Sequence, residues 1–486
     1  MTEDIKHSVG TRTLRSMFWA YGSYVGGRGL VLVATAALAR ILTPADFGLV
    51  ALALVFIGFL ETLSDLGMTQ ALIIVDEDEV LEKAETAFTV SVLVGAVLAL
   101  VVSALGPVAA SYFHQPALIA IMPALGFNLF LQALGTTHYA LAQKWLDFRL
   151  RTSAELADVV LRGTAGIPLA LLGAGAWSLV IGYLVGTMTL NIVLWIRVRW
   201  RPRLRLKRAH LRQLLTFGGA LTGVLIIGAV LGSADDLIVG KVLGTTALGL
   251  YTLAYRLPDL LIINLSAVAG KVLFPAMATL KRSALPEAFL TSLRYGLMIG
   301  LPLAVGIAVL AEPVTLALFG DKWRDAAPAM QVMALWTLMW PINIMIGTAY
   351  KSLGRADILL KIAIPQALAL VPAVLIFVHD GIVAVAACQA GVTIAFTLLA
   401  AGIATRILDV TVRDMLVACR PAILASAGLG VALFVVHRLI EQPWPALVTG
   451  IVVGAAVYIA LLWLFARDTL ERLRAPAFPR APRPVG

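Results

Sequence analysis

Only two cysteines, Cys388 and Cys419, occur in the 486 residues, and both fall inside or beside apolar segments. That pattern excludes a disulfide framework and any paired Cys/His spacing for a metal. Charge is scarce as well. Asp, Glu, Lys and Arg make up 14% of the chain against 60% apolar residues, far less charge than the surface of a soluble protein of this size carries. Catalytic signatures are missing too. No G-x-x-x-x-G-K-[ST] phosphate loop is found, so ATP is not the local energy source, and neither H-E-x-x-H nor G-x-S-x-G occurs. Asp76-Glu77-Asp78 has the D-x-D form that some glycosyltransferases use, but no nucleotide-binding domain surrounds it. The chain reads as a non-enzyme without a cofactor.

What the chain has in place of these is apolar length. Stretches of about 20 or more apolar residues recur, each long enough to cross a hydrocarbon core of about 30 Å as a helix. They predict an all-α polytopic membrane protein with about fourteen spans, at 14–40, 47–72, 87–112, 117–139, 153–173, 176–197, 213–240, 247–274, 287–311, 326–350, 357–378, 381–404, 415–437 and 444–466. The first stretch lacks a clear cleavage site, so it reads as a retained helix, not a signal peptide. The last residues, 467–486, are rich in Pro and Arg and read as a disordered tail.

The Lys and Arg residues set the orientation. Arg197 to Arg212 (RVRWRPRLRLKRAHLR) holds eight of the chain's 38. An even number of spans puts both termini on one side, and sorting the cations by loop gives 28 on that side against 5 on the other. Cytoplasmic loops hold the cationic excess, so both termini are expected in the cytoplasm. The net charge of +10 then reflects topology and anionic headgroups, with membrane lipids and no nucleic acid as partners. Asp76–Glu85 (DEDEVLEKAE) reads as an acidic cytoplasmic loop.

A repeat shows at a spacing of 201 residues. Arg40–Leu49 (RILTPADFGL) lies over Lys241–Leu250 (KVLGTTALGL), each between a rising and a descending span. Two parallel six-helix repeats follow, related by an axis along the membrane normal. The expected parts are an N-terminal bundle (1–198), a basic cytoplasmic linker (199–212), a C-terminal bundle (213–405), two further helices (406–466) and the tail (467–486).

Ionisable residues at membrane depth mark function by default, because each costs about 2.5–3.5 kcal/mol on insertion scales. Five cations lie inside the spans: Arg28, Arg162, Arg256, Lys271 and Arg294. Arg28 is thirteen residues beyond Arg15, about 20 Å up its helix. Lys271 and Arg294 lie nearer the cytoplasmic ends, where they can snorkel. Asp158 and Arg162 (i, i+4) and Arg256 and Asp259 (i, i+3) can pair within a helix. Several arginines around one cavity would suit a phosphate or pyrophosphate. The acids Glu61, Asp65, Asp235 and Asp236 are the candidates for coupling to a proton or sodium ion, with ion pairing to Lys241, Arg256 or Arg28 as the alternative. Trp19, Tyr21, Tyr24, Tyr251 and Tyr255 could stack on sugar rings or simply pack.

Several stretches carry a family likeness: RILTPADFGLVALA (40–53), ALAQKWLDFRLRTSAEL (140–156), WRPRLRLKRAHLRQLLTFG (200–218), DDLIVGKVLGTTALGLYTLAYRLPDL (235–260), FPAM (274–277) and FGDKW (319–323). With these in this order, the chain resembles the bacterial polysaccharide transporters of the multidrug/oligosaccharidyl-lipid/polysaccharide exporter superfamily. The resemblance implies two six-helix bundles facing a central cationic cavity, with two added C-terminal helices. It implies a flippase in the bacterial inner membrane that carries an oligosaccharide on a polyprenyl pyrophosphate, alongside other polysaccharide assembly proteins. An ion-coupled multidrug exporter, a carrier of the peptidoglycan precursor and a polysaccharide polymerase or ligase are the rival readings. The last would need a large outer loop, and the longest here (312–325) is short.

Overall fold

The computed structural model describes residues 26–65, 68–74, 77–145, 147–213 and 232–465, and every regular element among them is helical. In a bilayer this is expected, because a helix satisfies its backbone hydrogen bonds within the segment. Eleven helices among the described residues are long and apolar enough to cross a membrane. Of the other expected spans, 14–40 and 213–240 run partly outside the described residues. The third, 153–173, lies on a helix (Phe148–Leu171) whose charges keep it out of that apolar set. The tail and the aromatics Trp19, Tyr21 and Tyr24 also lie outside. The chain divides into two compact units, Met1–Thr252 and Leu253–Gly486.

The first unit contains α1 (26–41), α2 (Pro44–Asp65), α3 (Met68–Ile74), α4 (Glu77–Phe113), α5 (Leu118–Lys144), α6 (Phe148–Leu171), α7 (Ala176–Arg197), α8 (232–242) and most of α9 (Gly244–Pro258). Its centre is α5, which packs on α4, α7 and α2. Leu118, Ile121, Met122, Leu125 and Leu129 of α5 are all buried, one face at helical spacing. The T-P-A-D sequence explains where α2 begins. Thr43 Oγ1 accepts from the Asp46 amide at 3.3 Å, and Asp46 Oδ2 accepts from the Thr43 amide at 2.9 Å. The two orphan donors are satisfied reciprocally, with Pro44 at the first helical position.

The two copies of the repeat meet within this unit. A Cβ added to Gly48 would run into the Thr245 carbonyl oxygen, and one added to Gly249 would run into that of Pro44. Both pairs of equivalents (44 with 245, 48 with 249) are 201 residues apart, so the contact is reciprocal, as a twofold axis requires. Only glycine permits so close a backbone approach.

The acidic stretch before α4 is not a loop. Glu77 already begins a helix of 37 residues, about 55 Å long, whose first turns are made by good helix formers and an i, i+4 pair between Glu79 and Lys83 at 2.6 Å. The basic run closes on it. Residues 201–207 are non-helical, and their cations meet the acids: Arg205 with Glu85 at 3.7 Å, and Lys207 with Glu82. The Arg205 amide donates to Thr89 Oγ1 at 3.1 Å, while Trp200 packs edge-on against Phe88.

The second unit continues through a π-turn (Asp259–Ile263) into α10 (Asn264–Ala278), then α11 (Leu285–Val309), a short α12 (Ala311–Val314), α13 (Ala327–Trp336), α14 (Met339–Ser352), α15 (Ala356–Phe377), α16 (Ile382–Leu408), α17 (Val412–Leu439) and α18 (Pro443–Phe465). Phe289 and Leu293 of α11, Met345 and Tyr350 of α14, Leu408 of α16 and Ala422 of α17 share one core. Tyr350 and Tyr458 keep their hydroxyls satisfied there, donating to the Ala400 and Met298 carbonyls at 2.7 and 2.6 Å. The FGDKW motif is structural: Trp323 is fully buried, and Gly320 has φ of 96°.

Candidate functional site

The most complete charge cluster at membrane depth lies inside the first unit. Asp158 and Arg162 sit one turn apart on α6, and Arg162 Nη2 donates to both Asp158 oxygens at 3.0 Å. The guanidinium also lies over the Tyr183 ring of α7, 4.2 Å from its centroid. Two glycines bring α7 this close. A Cβ on Gly182 would stand 3.0 Å from the Arg162 carbonyl oxygen, and one on Gly186 would strike Asp158, the small-residue packing typical of membrane helices. Glu61 of α2 is exposed and lies in the electrostatic field of Arg162. Arg28 is half-buried on α1, which lies along α6: a Cβ on Gly27 would stand 3.4 Å from Leu156, and one on Gly163 3.4 Å from Ala34.

Asp158 and Arg162 turn toward α7. The exposed apolar residues Val160, at 41%, and Leu171, at 70%, lie on the other side of α6, as 100° per residue requires. Arg162 and Asp158 remain 34% and 16% exposed although they point away from that apolar face.

The coupling candidates separate. Asp235 is buried and accepts from the Tyr251 hydroxyl at 2.7 Å, while Asp236 beside it is half-buried. Lys241, the partner expected from sequence, turns to Tyr112, donating to its carbonyl and lying 4.1 Å from its ring centroid. The side chain of Asp65 lies outside the described residues.

The remaining cations belong to the second unit. No ion pair joins Arg256 to Asp259 among the described residues; Asp259 Oδ1 accepts instead from Asn264 Nδ2 at 3.1 Å across the π-turn. Such turns recur at functional sites. Arg256 is half-buried. Arg294 of α11 acts electrostatically on Cys419 of α17, and its Nε is buried with no hydrogen-bond partner among the described residues. The Lys271 side chain lies outside the described residues. The structure thus places Arg28 and Arg162 in one unit and Arg256, Lys271 and Arg294 in the other. Of the candidate sugar platforms, Tyr251 is buried in its bond to Asp235, and Tyr255 stacks on Trp336 at 6.0 Å.

Sequence reasoning missed Tyr183 and a second cluster at the start of α6, where Arg151 and Glu155 meet Tyr139 of α5. The spacing of 151, 155, 158 and 162 on one helical face was the signal available.

Residues 37–328 match the model of a family described as polysaccharide biosynthesis protein. The chain is 27% identical to the succinoglycan biosynthesis transport protein ExoT of Rhizobium meliloti (strain 1021), over 98% of both chains. It is 28% identical to the lipopolysaccharide biosynthesis protein WzxC of Escherichia coli (strain K12), over 76% of both. Among solved structures, lipid II flippase MurJ in an inward closed conformation superposes with a TM-score of 0.76 at 14% identity, covering 93% of this chain and all of that one. An inward-facing multidrug resistance transporter of the MATE family gives 0.61 at 16% identity, over 78% of this chain and 95% of that one. These two share the fold.

Proposed function

Because the chain belongs to the polysaccharide biosynthesis protein family, we propose that it is a flippase that moves a polyprenyl-pyrophosphate-linked oligosaccharide across the bacterial inner membrane. The observation that carries this reading is Arg162, a cation within an expected span that stays 34% exposed and turned away from the apolar face of its helix. Ionised side chains of that kind are costly in a membrane helix and mark the path of a polar solute. The names of the two relatives, one a succinoglycan transport protein and one a lipopolysaccharide biosynthesis protein, support a surface glycan as cargo.

Arg162 is neutralised by Asp158, so it adds no net charge for a pyrophosphate. We assign that role to cations outside this pair, with Arg28 the candidate in the first unit; a guanidinium group stays ionised and binds phosphate oxygens two at a time. The lipid tail stays in the bilayer while the headgroup and sugars occupy the polar interior. Rocking of two repeats then alternates access, and the cargo must bind both states with similar affinity, since a ligand shifts an equilibrium only by its differential affinity. A proton or sodium ion at Asp235, Asp236 or Glu61 gives direction. The protein acts as a transporter, not an enzyme, with both termini in the cytoplasm and the glycan assembly proteins as neighbours.

The test is a deletion strain. Lipid-linked glycan should accumulate on the cytoplasmic leaflet, the wild-type gene should clear it, and Arg28→Ala should fail to clear it at normal protein level. Clearance by Arg28→Ala at the wild-type rate would remove Arg28 from the site. An unchanged leaflet distribution in the deletion strain would overturn the flippase reading.

A further inference from the structure

Four charged side chains climb one face of α6: Arg151, Glu155, Asp158 and Arg162. Steps of four, three and four residues keep them within about 60° of one another on a helix turning 100° per residue. They form two modules of the same make-up. In the lower one, Arg151 lies 3.8 Å from Glu155 Oε1 and 4.5 Å from the Tyr139 ring centroid, and the Tyr139 hydroxyl donates to Glu155 Oε1 at 2.7 Å. In the upper one, Arg162 bonds Asp158 and lies over Tyr183. The two arginines are eleven residues apart, about 16 Å along the helix.

A pair whose only task is to pin two membrane helices makes its strongest hydrogen bonds when sealed from water, where the dielectric is low. These are not sealed. Arg151 and Glu155 are 22% and 52% exposed, and Asp158 and Arg162 16% and 34%. Spare capacity remains as well. A guanidinium has five donors and a carboxylate about four lone-pair sites, and the bonds between Arg162 and Asp158 use the Nη2 group alone.

The balance of charge identifies what the stretch would hold. Two cations and two carboxylates sum to zero, so a diphosphate gains nothing from it. A neutral polyhydroxyl chain finds donors, acceptors and aromatic rings at two levels. We propose that this face of α6 is a binding track for the uncharged sugar residues of the cargo, distinct from the cations that hold its pyrophosphate. The proposal rests on the flippase reading above. The lower module stands at the cytoplasmic mouth and the upper one at membrane depth, so the track favours a glycan long enough to span both.

Two carriers test it, one bearing the whole repeat unit and one stopped after its first sugar, with leaflet distribution measured for each in cells making the full-length chain. Tyr139→Phe removes one hydroxyl, and Glu155→Gln removes one charge while keeping the shape. Each should lower the ratio of whole-repeat to single-sugar transport about tenfold, the scale of one hydrogen bond to a charged group, at normal protein level. Equal slowing of both carriers, as a structural or ion-coupling role would give, would overturn the track, and so would no slowing of either. If the unaltered protein moved neither carrier, the flippase reading would fall and the track with it.

Discussion

Asp158 and Arg162 show how a membrane helix tolerates ionised groups. The pair is made within one helix turn, so it forms without help from tertiary structure, and Tyr183 supplies a further cation–π contact at 4.2 Å. Removing one partner strands the other. Asp158→Asn should cost about 1–2 kcal/mol in thermal unfolding of the purified protein, less than the roughly 3–5 kcal/mol of a sealed pair, because Arg162 is partly exposed. The double change Asp158→Asn with Arg162→Gln should recover most of the loss. A double variant as unstable as the sum of both single ones would show that the two residues do not act as a pair. This pair was legible in the sequence, because i, i+4 spacing is all it needs. Tyr183 was not, because its place opposite Arg162 depends on Gly182 and Gly186 drawing α7 against α6. The pairing of Arg256 with Asp259 that the i, i+3 spacing allowed is not seen among the described residues, where the π-turn hands the Asp259 carboxylate to Asn264.

Helices bring distant sequence together at two glycines. Gly48 of α2 and Gly249 of α9 let the equivalent N-terminal turns of the repeat touch through backbone atoms. The repeat itself was readable from ten aligned residues, whereas the contact was not, since nothing in the pattern says that the two copies meet. A methyl group at either position has no room. Gly48→Ala and Gly249→Ala should each destabilise the protein by about 1–3 kcal/mol, as overpacking does, with similar size because the contact is reciprocal. Ala at one site tolerated and at the other damaging would contradict the twofold relation. The long α4 teaches a different lesson. Its acidic first turns looked like a loop because charge interrupts the apolar run, yet Glu, Leu, Lys and Ala are helix formers and the Glu79–Lys83 pair holds the turn. The basic run then finds its partners on this helix, with Arg205 at Glu85 and Lys207 at Glu82.

At the scale of the molecule, apolar length, together with the cation counts, was enough to read an all-α membrane protein, because a bilayer leaves the backbone few alternatives. Orientation follows from the same counts and has a direct check. Leu204→Cys, on the exposed linker, should react with an impermeant maleimide only after the cells are opened, while Lys322→Cys on the opposite side should react in intact cells. The reverse pattern would invert the topology and place the open end of the α6 charges outside. What composition could not give was the sharing of charge inside. Five cations fall inside the expected spans; the structure gives Arg162 its own acid, and Arg28 and Arg162 belong to one unit, Arg256, Lys271 and Arg294 to the other.

This chain carries a glycan on its lipid across a bilayer. Purified protein in liposomes containing a polyprenyl-pyrophosphate oligosaccharide decides it. With external glycosidase present, the protected inner-leaflet fraction should fall with time in vesicles that contain the protein and stay constant in protein-free vesicles. Protection that persists equally in both would contradict the account.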